Sequence, residues 1–224
     1  MNDPEPSTTL VPVKVWDAPT RLVHWALAVL VGFSWLSNRR NWMDLHFLSG
    51  YAILALLVFR IAWGFLGSET ARFASFLKSP RAAIRHLAGL FVREPDREVS
   101  HNPAGGWMVL VLLALLAVQV GTGLTANDDI MVEGPLFKYI GKELSDRLSS
   151  LHAFNFKLIE LAVLAHVLAV AAYGVFKRQN LVRPMITGRK LLPGWVRPPW
   201  LARPVLAAIV MASAAVLAAL VSRL

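Results

Sequence analysis

The stretch LHAFNFKLIELAVLAHVLAVAAYG, residues 151–174, decides how this chain is read. It is apolar over the length of a helix and carries His152 near its start and His166 fourteen positions later. At about 100° and 1.5 Å per residue, fourteen steps return to nearly the same face and climb roughly 21 Å. One helix therefore offers two imidazoles on one side at two depths. The question for the remaining sequence is whether it supplies a partner at each depth.

Composition sets the class. Of 224 residues, 56% are hydrophobic, and they come in long blocks with a mean hydropathy of +0.52, as in an integral membrane protein. The chain has no cysteine, which excludes disulfides, iron–sulfur clusters, thiolate metal sites and covalent c-type haem attachment. Histidine is the remaining soft nitrogen ligand. The net charge of +9 resides mainly in the connections between apolar blocks, where it sets topology and meets lipid headgroups, so nucleic acid is not an expected partner. Residues before the first block include Asp3, Glu5 and Asp17, and the block ends in Ser37-Asn38-Arg39-Arg40 with no small-residue cleavage site. The first helix is expected to stay as an anchor and not to be removed as a signal peptide.

In chain order, residues 1–16 read as a flexible N-terminal segment. Residues 17–190 read as a membrane domain with helices at about 19–37, 45–66, 106–126 and 151–176. Residues 191–224 read as a basic connection followed by a C-terminal membrane helix. The expected fold is thus all-α and integral to the membrane, a four-helix transmembrane bundle with a fifth C-terminal transmembrane helix. Residues 81–93 interleave Arg with Ile84, Leu87, Leu90 and Phe91, which predicts an interfacial amphipathic helix. A short surface helix is expected over 141–147.

Counting Lys and Arg gives orientation. Arg72, Lys78, Arg81, Arg85, Arg93 and Arg97 lie between the second and third helices, and Lys177, Arg178, Arg183, Arg189, Lys190, Arg197 and Arg203 between the fourth and fifth. These connections are expected to be cytoplasmic, which places the N-terminus inside a bacterial inner membrane. His24 then lies near the inner start of the first helix and His46 at the outer start of the second. The fourth helix runs inward, with His152 at the outer level and His166 at the inner. Two pairs result, His24 with His166 and His46 with His152, each joining different helices at one depth.

Two imidazoles per level leave a zinc site half built, because a structural zinc wants four converging ligands. Haem brings four nitrogens of its own. Two axial histidines then complete six-coordinate iron, a centre suited to moving single electrons. A lone membrane histidine is ordinarily a hydrogen-bonded or snorkelling residue; four histidines matched by depth reverse that reading. His86 and His101 fit neither pair and read as surface residues, with His101 alone a secondary candidate for a cofactor-edge contact. Gly50, Gly121 and Gly123 could either admit a porphyrin face or allow close helix packing.

These residues resemble a known family. Val23-His24-Trp25, Leu45-His46 with Gly50, His152 and the fourteen-residue step to His166 are similar to the bacterial cytochrome b561 family, related to the cytochrome b subunits of nickel–iron hydrogenases. The resemblance covers about residues 14–190, with Trp16-Asp17, Pro19 and His101-Asn102-Pro103 included. It implies two haem b groups in a four-helix membrane bundle, and electron exchange with a quinone or a redox partner. Carried over, it implies His24 and His166 as ligands of the inner haem iron and His46 and His152 of the outer one. The fifth helix departs from the four-helix pattern.

Arg60 lies fourteen residues past His46, at the depth of the inner pair. It is either a cofactor-binding residue, bonding a haem propionate, or an interfacial anchor. Lys157 and Glu160 are either a proton-carrying group beside a quinone or the outer haem, or a mutually neutralised pair with Lys157 reaching outward. Tryptophans at positions 25, 35, 42, 63 and 107 mostly fall near helix ends and read as a belt. Asp128, Asp129 and Glu133 lie on the outer side, where a basic periplasmic cytochrome could dock, although a solvated loop explains them better. The function expected is electron transfer between the quinone pool, with ubiquinone as candidate substrate, and a redox partner, as an electron-transfer protein or quinone-linked oxidoreductase. The alternatives are a cytochrome b anchor subunit of a hydrogenase- or dehydrogenase-type complex and, in another class, a non-redox transporter or assembly anchor.

Overall fold

The computed structural model describes residues 9–89, 92, 98–130 and 132–224. Strand β1, Leu10–Lys14, leads into helix α1, Ala18–Arg39. Asp17 starts that helix by accepting a hydrogen bond from the Thr20 N–H at 2.7 Å, with proline in the first turn. A turn through Asn41, which takes the left-handed φ of 55° that asparagine tolerates, leads into α2, Met43–Leu66. Helix α3, Pro80–Ala88, is capped by Ser79 and exposes Ile84 and Leu87 with its basic residues. It is the expected amphipathic helix as far as it is described; Leu90, Phe91 and Arg93 lie outside the described residues.

Asn102 caps α4, Pro103–Gly123, by accepting from the Gly105 N–H at 2.7 Å. Helix α5, Lys142–Ala172, runs on into a π-helical turn, Tyr173–Lys177, and stops at Arg178, whose φ is 54°. Short helix α6, Val182–Thr187, precedes strand β2, Arg189–Pro193, and α7, Pro204–Val221, ends the fold. Among the described residues five helices, α1, α2, α4, α5 and α7, are long and apolar enough to cross a membrane. The expected all-α membrane architecture with a fifth C-terminal helix is the one adopted.

Two helix pairs make the body of the bundle: α1 packs along α2, and α4 along α5. The pairs meet at an apolar layer of Leu57, Leu116 and Ile159, with Leu27 and Val31 against it. Ile159 is seven residues from each histidine of α5, so this layer lies halfway between the two levels. Helix α7 lies on the other side of α2. Its small residues Ala207 and Ala214 enter a core with Val23, Phe59, Trp63 and Ala71, where their short side chains allow close approach.

Two features depart from the reading of the sequence. The N-terminal segment, expected to be flexible to residue 16, contributes β1, which pairs antiparallel with β2 so that Leu10 faces Pro193 and Lys14 faces Arg189. Val13, Val15, Trp16, Leu192 and Val196 form a core there, and Val15 and Trp16 both donate to the Gly188 carbonyl. A glycine at φ 77° fits this turn, and a Cβ would meet the Trp16 carbonyl at 2.8 Å. The fourth membrane helix also begins at Lys142 instead of 151, absorbing the separate surface helix expected over 141–147. Lys142–Asp146 and Glu143–Arg147 are i,i+4 pairs that carry the helix through the polar stretch. Buried Ser145 anchors it, donating to the Thr125 carbonyl at 2.6 Å.

Candidate functional site

The four histidines named from the sequence fall into the two pairs expected. His24 of α1 faces His166 of α5 with ring centroids 6.3 Å apart, and His46 of α2 faces His152 of α5, also at 6.3 Å. Each is half-buried. A metal–imidazole bond of about 2.0 Å, added to the distance from ring nitrogen to ring centre on both sides, places two axial imidazoles roughly 6 to 6.5 Å apart. Both pairs have the spacing of two rings on opposite sides of one iron atom. Among the described residues no three His, Asp or Glu side chains converge to hold a bare metal ion. Two imidazoles per level suffice only for a metal that arrives with ligands of its own.

The environment of the His46–His152 pair fixes which ring nitrogen is free. His46 Nδ1 lies 2.9 Å from the Ser34 carbonyl oxygen, and His152 Nδ1 lies 2.9 Å from that of Gln119. A carbonyl can only accept, so Nδ1 carries the proton in both rings and the lone pair sits on Nε2. In His152 that lone pair receives the Gln119 side-chain amide at 3.0 Å, so the amide must turn aside before Nε2 can bind iron. Asn155 holds the other end of the amide, donating to Gln119 Oε1 at 2.8 Å and to the Leu115 carbonyl at 2.9 Å. A side chain at Gly123 would displace the His152 ring, because a Cβ there would lie 2.8 Å from His152 Cε1. Gly50 is half-buried and a Cβ there would meet nothing within 4 Å, leaving open space one turn from His46. Of the two roles weighed for the glycines, Gly50 has the room a porphyrin face needs and Gly123 has the close approach.

At the other level His24 packs edge-on against Trp25, and its buried Nδ1 has no hydrogen-bond partner. Thr20 Oγ1, one turn earlier in α1, is likewise buried and unpartnered. Arg60 is 7% exposed, lies over the Phe73 ring at 5.4 Å and donates to the Ala71 carbonyl at 3.3 Å. It belongs to the interior of this level and not to a solvent-facing belt. His101, read from the sequence as a surface residue, is wedged between the Trp16 ring at 4.8 Å and the Phe76 ring at 4.6 Å. Burial first, then the charges of Arg60, His24 and His166, push its imidazole down to about 3. His86 is also no free surface residue: its Nε2 lies 2.6 Å from the Tyr173 hydroxyl, with the rings stacked. Trp63 is not a belt residue either, since it is fully buried and donates to Asp17 Oδ2 at 3.0 Å.

The acidic loop is occupied with itself. Asp128 Oδ1 accepts from the Ile130 and Val132 N–H groups, and Asp129 pairs with Lys142. Lys157 and Glu160 are exposed on α5 and are not paired with one another. Sequence reasoning missed Ser34 and Gln119 as supports of the histidines. Gln119 carried a signal, since it is the one amide in the otherwise apolar run of the third helix.

Comparisons with known proteins identify a family. A family model described as prokaryotic cytochrome b561 matches residues 15–188. The chain is similar to the probable Ni/Fe-hydrogenase B-type cytochrome subunit of Rhizobium leguminosarum bv. viciae, 24% identical over 213 residues, covering 80% of this chain and 89% of that one. Proteins of the same description from Azotobacter chroococcum mcd 1 and Rhodobacter capsulatus are also 24% identical over 217 residues, with 80% of this chain covered and 88% and 81% of theirs. No solved structure matches the chain.

Proposed function

The chain belongs to the prokaryotic cytochrome b561 family, and on that premise we propose that it binds two haem b groups, one between His24 and His166 and one between His46 and His152. Membership makes it a membrane b-type cytochrome that transfers electrons, with haem b as cofactor. The observation that carries the number of haems and their ligands is the matched 6.3 Å separation of the two facing pairs. A non-redox transporter or passive anchor has no use for that match.

Bound haem b supplies reversible one-electron chemistry. The chain's own residues do the rest. The Ser34 and Gln119 carbonyls fix Nδ1 of His46 and His152, so Nε2 would be the atom of each that holds the haem iron, and the Gln119 amide would have to leave His152 Nε2. Arg60, buried and cationic at the level of His24, is the residue to hold a propionate. The layer of Leu57, Leu116 and Ile159 keeps water from the space between the levels. The partner we favour is a dehydrogenase subunit of the hydrogenase type, because the relatives are described as cytochrome subunits of such enzymes, with quinone as the second redox partner. The location is the bacterial inner membrane, with the strand pair β1–β2 on the cytoplasmic side together with the most basic connections.

The purified protein is expected to show low-spin b-type bands in a reduced-minus-oxidised spectrum and two haems per 24.7 kDa chain. A ratio of one removes one pair, and absence of the bands removes the proposal. Gly123→Val adds a second test. Its side chain would push the His152 ring from its place, so the haem content should fall to one per chain, as on removal of His152 itself. Retention of both haems by this variant would mean that His152 does not need its observed position.

A further inference from the structure

Lys157 and Glu160 are six and nine residues inside the apolar run that begins at Leu151. At 1.5 Å per residue their α-carbons lie roughly 9 Å and 14 Å below its start. Asn155 and Ile159 are buried on the bundle side of α5, and steps of 100° place Lys157 and Glu160 on the opposite side of the helix. Both are exposed there and make no ion pair with each other. Intramembrane charges ordinarily turn into the bundle, since leaving one in lipid is costly. Lysine has a stem long enough to reach a membrane face, but glutamate does not, so Glu160 needs a counter-charge from outside this chain.

We infer that this face of α5 is the contact between two copies of the chain, related by a twofold axis along the membrane normal, in which Lys157 of each copy pairs with Glu160 of the other. The face carries one charge of each sign, so it is complementary to itself, as a twofold contact requires. Parallel α5 helices related in this way place the two residues roughly 4.5 Å apart in height, within the reach of a lysine side chain. Phe154, Leu161 and Leu164 are exposed on the same stripe and supply apolar packing on either side of the charges. A foreign helix would have to carry the matching pair of charges at the matching spacing, which the second copy carries by identity.

The chain lacks cysteine, so Leu164→Cys provides a single oxidisable site on the stripe. In the full-length haem-loaded protein in phospholipid vesicles, mild oxidation is expected to give a covalent dimer near twice 24.7 kDa. In that background Lys157→Glu and Glu160→Lys each place like charges together, and each is expected to reduce crosslinking by more than about tenfold. The two single variants mixed before reconstitution should crosslink to each other, because one chain then carries both acids and the other both bases. The double exchange K157E/E160K should crosslink as the parent does. The haem spectrum reports folding of every variant; should either single variant lose it, the neutral double variant Lys157→Gln, Glu160→Gln takes its place and should also lose the dimer. No dimer from the parent, unchanged crosslinking in all variants, or failure of the mixture to recover would each overturn the inference and leave the charges to lipid headgroups or to a different protein.

Discussion

Replacing His46 or His152 by alanine is expected to remove one and the same haem, taking the protein from the two haems per chain proposed for it to one, and combining the two substitutions is expected to remove nothing further. The reason is that each imidazole faces its partner with ring centroids 6.3 Å apart, and an iron held between them would need both. His24→Ala and His166→Ala are expected to behave alike for the other proposed haem, since these two rings face each other at the same separation. His24→Ala combined with His46→Ala is expected to leave none, since these residues belong to different pairs. Haem content per folded chain, with the reduced-minus-oxidised spectrum of the remaining centre, reads the result. The pairing is refuted if His46→Ala and His152→Ala leave spectroscopically different haems behind.

The largest loss of stability is expected at Trp63, far from any membrane face in packing terms although it sits near a helix end. Its side chain has no exposed surface, stacks on Phe59 at 5.4 Å and donates to Asp17 Oδ2, while the other oxygen of that carboxylate caps α1. Trp63→Ala opens a cavity worth about 3–5 kcal/mol and also strips Asp17 of a donor, a further loss of about 1–3 kcal/mol. Trp63→Phe should cost only the smaller part of this, because most of the ring volume remains. Reversible unfolding in mixed micelles measures both. Equal stability of the two variants would show that the hydrogen bond to Asp17, and not packing, holds α1, α2 and α7 together.

The helices were legible because bilayer thickness writes itself into the length of apolar blocks, and the histidine pairs because spacing along a helix translates directly into depth. What could not be read has a common cause. Leu10–Lys14 and Arg189–Pro193 are short and far apart in the chain, so neither carries a periodic signal long enough to announce the other. His101 reads as a loop residue until Trp16 and Phe76, from two other segments, close on it. The start of α5 at Lys142 depends on ion pairs and on Ser145 reaching the Thr125 carbonyl, and a hydropathy pattern is blind to both. Trp63 shares its distance from a helix end with true belt residues, and only α7 packing over α2 turns it inward.

The strand pair also sets a timetable. His24 emerges from the ribosome about 140 residues before His166, and β1 emerges earlier still relative to β2. At roughly 5–20 residues per second, the first histidine waits about 7–28 s for its partner. Only then can Arg189–Pro193 arrive to pair with Leu10–Lys14. The end of the bundle that houses His24 and His166 is therefore the last to be closed in the life of a newly made chain, and until then its interior stands open.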